Sequence, residues 1–98
     1  MIERIVRLTF DPEKQNDFLQ LFLESSDAIK AMDGCMELRL LRDIRYPNQF
    51  TTHSVWESEA SLEAYRNSEL FRSTWAKTKV MFAARPEAWS YRQVSEKD

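Results

Sequence analysis

Between Phe50 and Phe82 the chain reads FTTHSVWESEASLEAYRNSELFRSTWAKTKVMF, and this stretch carries two helix caps in quick succession. An extended run closes at Val55-Trp56. Ser58 then stands where a helix N-cap is needed, because a short side-chain oxygen there satisfies an otherwise orphaned backbone N–H. The first helical piece carries Leu62 and Tyr65, and Asn67-Ser68 caps the helix again. The second piece carries Leu70, Phe71, Trp75, Met81 and Phe82. Phe71, Trp75, Thr78 and Phe82 recur at helical spacing and form one stripe. A helix broken in its middle thus lays large rings over a sheet. Those rings are the expected outer wall of any pocket.

The rest of the chain supplies the sheet. Residues 2–10 alternate, with Ile2, Arg4, Val6, Leu8 and Phe10 on one face and Glu3, Ile5, Arg7 and Thr9 on the other. Period two with β-branched residues predicts a half-buried strand. Asp11-Pro12-Glu13 opens a helix: Asp caps, Pro fits the first turn and Glu suits the positive end of the dipole. Phe18, Leu21, Phe22, Ser25, Ile29 and Met32 make its apolar stripe, and Asp33-Gly34 stops it. A second strand is expected over residues 35–44, with Met36, Leu38 and Leu40 sharing a face. Tyr46-Pro47-Asn48-Gln49 is a turn joining it as a hairpin to a third strand at about 50–57. Arg85-Pro86-Glu87 ends the second helix. A fourth strand follows, with Trp89, Tyr91 and Gln93 opposite Ala88, Ser90, Arg92 and Val94. The polar tail Ser95 to Asp98 is expected to fray.

The order β-α-β-β-α-β predicts an α+β, ferredoxin-like fold over residues 1–98. Right-handed crossovers put strand one beside strand three in the centre of an antiparallel four-stranded sheet, with both helices on one face. The opposite face carries Ile5, Leu41 and either Val55 or Trp56, too apolar to be left to water. A homodimer formed by sheet-to-sheet packing is therefore expected. Chain length points the same way. A protein of 98 residues buries only about 60–65% of its unfolded surface, and 43% of these residues are hydrophobic.

Other classes fall away. The net charge of −2 gives no reason to expect nucleic acid. Gly34 is the only glycine, so no phosphate-cradling loop is present. Cys35 is the only cysteine, which rules out an intrachain disulfide and a thiolate metal cluster. The opening MIERIVRLTF has charges at positions 3, 4 and 7 and lacks the apolar run of a leader or a membrane span. A soluble cytoplasmic protein with no membrane partner is expected.

Val55-Trp56-Glu57-Ser58-Glu59-Ala60, Leu62-Glu63-Ala64-Tyr65 and Asn67-Ser68-Glu69-Leu70-Phe71 resemble the strand end, helix cap and helix break of the antibiotic-biosynthesis-monooxygenase-like (ABM) family. That family belongs to the dimeric α/β-barrel superfamily, and the likeness in element order covers nearly the whole chain. It implies the barrel dimer and, in function, a range from quinol and polyketide oxygenases that use no cofactor to haem-degrading enzymes. The haem-degrading members use Asn, Trp and His at places that fall here on Val6, Tyr65 and Trp75. None matches, and an indole N–H offers a haem iron no axial ligand. A His that many other members carry falls near Tyr65 and is absent too.

The candidate chemistry is sparse. His53, the only histidine, has the right side chain to accept a proton from a phenol or quinol; the plainer account is a strand histidine satisfied by its neighbours. Tyr65 is the second catalytic candidate, its hydroxyl orienting a substrate oxygen. Val6, Phe22, Phe71 and Trp75 are the candidate substrate-binding walls, against the alternative that they are ordinary core. Trp56 anchors a strand end. Arg39, Arg42 and Arg45 read as charges that protect an edge strand. Arg4 and Arg7, on a central strand, need partners such as Glu3, Glu37 or a ligand carboxylate. Cys35 reads as a small apolar residue. No metal site and no cofactor are expected. The resemblance implies a cofactor-independent monooxygenase acting on a small aromatic ligand, with a non-catalytic binding or dimerisation module as the alternative.

Overall fold

The computed structural model describes residues 1–94; the expected fraying of Ser95 to Asp98 lies outside the described residues. Four strands form one antiparallel sheet: β1 (Ile2–Thr9), β2 (Cys35–Arg42), β3 (Gln49–Trp56) and β4 (Glu87–Arg92). Their order is β2-β3-β1-β4, with β1 and β3 in the centre as right-handed crossovers require. The register places Ile2 opposite Trp56 and Leu8 opposite Phe50, so the large residues of both central strands share the helix-facing side. There they build two adjoining clusters, one around Leu8, Phe10, Phe18, Phe50 and Met81, the other around Ile2, Trp56 and Leu62.

The caps act as their residue types dictate. Asp11 accepts a hydrogen bond from the Glu13 backbone N–H at 3.0 Å. A 3₁₀ turn, Pro12–Lys14, then precedes α1 (Gln15–Lys30). The α-helix thus begins later than Asp11-Pro12-Glu13 suggests, because the Asp11 cap is spent on the tighter turn. Ser58 and Ser68 each accept a backbone N–H at 3.1 Å, from Ser61 and Phe71 respectively. These two caps divide the second helical region into α2 (Glu59–Arg66) and α3 (Glu69–Lys79).

Two expected boundaries move, and one expected face changes. α3 ends at Lys79, well before Arg85-Pro86, since Phe82 leaves the helix to form an antiparallel bridge with Phe10. In β2 a register shift between Cys35 and Glu37 turns Met36 out, 59% exposed, so it does not share a face with Leu38 and Leu40. A bulge of this kind re-aims one side chain without ending the strand. β4 stops at Arg92, which leaves Gln93 and Val94 beyond it. Trp56 is wholly buried on the helix side, so the outer sheet face carries Val55, with Ile5, Leu41, Trp89 and Tyr91.

Candidate functional site

The broken helix does not close down on the sheet. Between them lies an open cavity of about 390 Å³. Tyr65 of α2, Phe71 and Trp75 of α3, Phe18 and Phe22 of α1, and Val6 and Leu8 of β1 line it. The rings brace one another. Trp56 and Tyr65 stack at 4.9 Å, Tyr65 meets Phe71 edge-on at 5.2 Å, and Phe71 and Trp75 lie nearly parallel at 5.9 Å. Such contacts contribute about 0.5–1.5 kcal/mol each beyond area burial, which holds the wall in place without filling the space. All four expected wall residues, Val6, Phe22, Phe71 and Trp75, therefore meet around one cavity, together with Tyr65.

Several polar groups on the lining are already engaged. The Thr74 and Thr78 hydroxyls each donate to a carbonyl one turn back at 2.7 Å, and Ser54 Oγ accepts from Trp56 Nε1 at 2.9 Å. Tyr65, Arg4 and Arg66 remain as the strongly polar side chains of the lining. Burial, with a smaller contribution from Cys35, pushes the Tyr65 phenol up to about 12. At neutral pH it therefore keeps its proton and is available to donate a hydrogen bond, not to act as a base. In the unfolded chain the phenol ionises near 10, whereas the folded protein holds the proton to about 12. The stability this supplies is whole below pH 10 and is lost as pH rises towards 12. Denaturant melts should therefore show about 2 kcal/mol less stability at pH 12 than at pH 9.5, beyond any loss shared with Tyr65→Phe. An equal loss in Tyr65→Phe would remove the assignment.

His53 is elsewhere. It occupies the outer face of β3, opposite Ile5 of β1, and does not line the cavity. Its Nδ1 lies 2.9 Å from Arg39 Nη2, and its Nε2 lies 2.8 Å from Glu3 Oε1. Arginine can only donate, so Nδ1 accepts and Nε2–H donates to the carboxylate. Arg39 also pairs with Glu37 at 3.2 Å. His53, expected as a proton acceptor, is thus not brought together with Tyr65, Phe71 and Trp75, because strand parity points its ring to the opposite face of the sheet.

The arginines separate in the same way. Arg7 pairs with Glu87 at 3.6 Å on the outer face, while Arg42 lies 4.6 Å over the Phe50 ring. Arg4 faces the cavity and donates to Ser90 Oγ at 2.9 Å instead of meeting Glu3 or Glu37. Arg66 is the cavity residue that the apolar stripe does not reveal. Its place directly after Tyr65, in the last turn of α2, is the only signal it leaves. Burial also pushes the Cys35 thiol up, consistent with a small packed residue. Among the described residues no cluster of three His, Cys, Asp or Glu is arranged to hold a metal.

The profile of the family described as antibiotic biosynthesis monooxygenase matches residues 1–77, which hold the first three strands and nearly all of the broken helix. The chain belongs to that family. Among solved structures, the fold is shared with a conserved protein from Methanosarcina mazei Go1, with a TM-score of 0.90 and 21% identity over 94% of this chain and 91% of that one. A structure described as an antibiotic biosynthesis monooxygenase matches with a TM-score of 0.90 at 19% identity, over 96% and 99% of the two chains. A protein from Mycobacterium tuberculosis matches with a TM-score of 0.89 at 15% identity, over 99% and 98%. At these identities the likeness is one of fold. No curated protein is similar enough to match. The residues on which the resemblance rests, Trp56 at the strand end, the Ser58 cap and the break at Asn67-Ser68, take the expected places. No helix among the described residues is long and apolar enough to cross a membrane.

Proposed function

We propose that the protein is a monooxygenase that oxidises a small phenol or quinol in this cavity without a bound cofactor. The observation that carries the reading is the open space itself, about 390 Å³ with six aromatic rings among its lining residues. A flat ring system enters such a slot and leaves water outside. A phenol losing its proton becomes electron-rich enough to reduce dioxygen. The two radicals combine at a ring carbon, and the hydroperoxide loses water to leave a quinone. One oxygen atom enters the product and one enters water; the substrate gives four electrons, two to each oxygen atom. Tyr65 donates a hydrogen bond to the substrate oxygen, and Phe71 and Trp75 hold the ring.

Oxygen uptake with a panel of naphthols, anthrones and quinols tests this. The expected result is one dioxygen consumed per substrate, above autoxidation, and a product heavier by one oxygen and lighter by two hydrogens. Tyr65→Phe should lower kcat/KM about tenfold, the worth of one neutral hydrogen bond. No uptake above background from any member of the panel would sink the proposal. One observation favours the alternative of a binding module: among the described residues no carboxylate or imidazole is on the cavity lining to serve as a base. Saturable binding of the same compounds with no uptake would select it.

A homodimer through the outer sheet face belongs to the same reading. What supports it is the exposure of Leu41, Trp89 and Tyr91 around Ile5 and Val55 on a face that no helix covers. Sedimentation should give twice the chain mass, and Ile5→Asp should give monomers by placing a charge at the centre of that face. A wild-type protein that stays monomeric at all concentrations would remove the proposal.

A further inference from the structure

We infer that the cavity takes an aromatic ligand bearing an anionic oxygen, which Arg4 binds at the end of the cavity that Arg66 also lines. The inference rests on the reading of the cavity as the substrate site and names the substrate's charge. Arg4 sits in β1 opposite Ser54 of β3 and Ser90 of β4, on the helix-facing side of a central strand. A guanidinium has five N–H donors, and among the described residues the side-chain partner of Arg4 is a single hydroxyl, Ser90 Oγ at 2.9 Å. No carboxylate lies within ion-pair distance of it among the described residues.

The neighbouring charges explain why. Glu63 of α2 is drawn to Arg66 at 3.4 Å, and Glu59 of α2 to Arg92 of β4 at 3.5 Å. Both carboxylates are thus taken by other guanidiniums, and among the described residues Arg4 has no ion pair. Burial first, and the charge of Arg66 second, weaken its hold on its proton, while Glu63 acts the other way. A half-buried cation on a ring-lined cavity, repelled by a second cation, is stabilised by an anion that arrives with the ligand. Among the described residues the lining holds no carboxylate or imidazole to remove a proton. A substrate that enters already ionised needs none. Its ring lies against Phe71 and Trp75, whose planes are within 7° of parallel.

The test uses the full chain and binding alone, read by tryptophan fluorescence and calorimetry. The probes are 1-naphthoate and its neutral counterpart 1-naphthalenemethanol, then 4-nitrophenol on either side of its ionisation with nitrobenzene as control. At least one anion should bind about tenfold tighter than its neutral counterpart, the worth of one charge-assisted hydrogen bond. Arg4→Gln should erase the preference and change neutral-probe affinity less than about twofold. If Arg4→Gln fails to fold, Arg66→Gln, at a more exposed position, should reduce the same preference. Preference for naphthoate alone identifies a carboxylate ligand, and preference for nitrophenolate alone a phenolate; each supports the inference. Neutral probes that bind as well as both anions, or a preference that survives both variants, would overturn it. Charge preference without oxygen uptake would uphold the anion site and end the oxygenase reading. Uptake of neutral quinols without charge preference would do the reverse.

Discussion

Phe10→Ala should destabilise the protein by about 3–5 kcal/mol, the range for removing a large buried ring. Phe10 is wholly buried and sits where three elements converge. It stacks on Phe18 of α1 at 4.1 Å and on Phe82 at 5.2 Å, and meets Phe50 of β3 edge-on at 5.9 Å. Its backbone also bridges to Phe82, so the chain after α3 is tied to the end of β1 at this point. Alanine keeps that bridge and deletes every ring contact. The neighbours cannot collapse into the gap, because β1, β3 and α1 are each fixed by their own hydrogen bonds. A domain of this size has a total stability of about 5–15 kcal/mol, so the variant should be folded only marginally. Chemical denaturation monitored by circular dichroism reads this directly. Leu23→Ala, at a position 72% exposed in α1, is the matched control and should shift stability by less than about 0.5 kcal/mol. A loss below about 1.5 kcal/mol for Phe10→Ala would mean that the cluster repacks.

Much of this architecture is legible because its signals are local. Ile2, Val6, Leu8 and Phe10 alternate; Ile2, Leu8 and Phe10 are buried as that predicts, while Val6 is only half-buried because it borders the cavity. Ser58 and Ser68 are each the residue type a helix start demands, so the break in the helix is written in the chain. The features that stay hidden depend on contacts far apart in sequence. Phe82 fits the α3 stripe by spacing, yet it is drawn off the helix to bridge Phe10. Nothing near Met36 signals the shift that turns it outward.

The site shows the same division. Tyr65, Phe71 and Trp75 are recognisable as a wall because helical spacing puts them on one face. The side that His53 takes turns on a single parity. Once Trp56 is inside, Ser54 and Thr52 point inward and His53 and Val55 point outward. Composition alone leaves Val55 and Trp56 as equal candidates for the outer face, so the direction of the only imidazole is open until the register is known. Arg4 is legible as a charge in need of a partner. That no carboxylate among the described residues pairs with it becomes visible only when Glu59 and Glu63 are seen committed to Arg92 and Arg66.

Gly34→Ala should cost about 3 kcal/mol, from two sources that can be measured separately. Gly34 has φ +83°, the left-handed conformation that turns the chain into β2; α1 has already ended at Lys30 with Ala31 as its cap, so Gly34 does not stop the helix as expected. A side chain there costs about 1–2 kcal/mol for backbone conformation alone. The second source is steric. A Cβ on Gly34 would run into the Cβ and Oγ of Ser61 at the start of α2. Ser61 has little freedom to yield, because its N–H donates to Ser58 Oγ at 3.1 Å and the two hydroxyls lie 3.1 Å apart. The Gly34 carbonyl also accepts the Glu57 N–H at 2.8 Å, which pins the loop beside the cap. Relief by backbone movement would therefore loosen the first turn of α2, the helix that carries Tyr65 and Arg66 to the cavity. Adding Ser61→Gly removes the clash and leaves the backbone cost. The double variant should recover about half the loss relative to Ser61→Gly alone. If it recovers nothing, the penalty lies wholly in the left-handed turn. If Gly34→Ala costs less than about 1 kcal/mol, the cap moves freely and α2 is not held at that end.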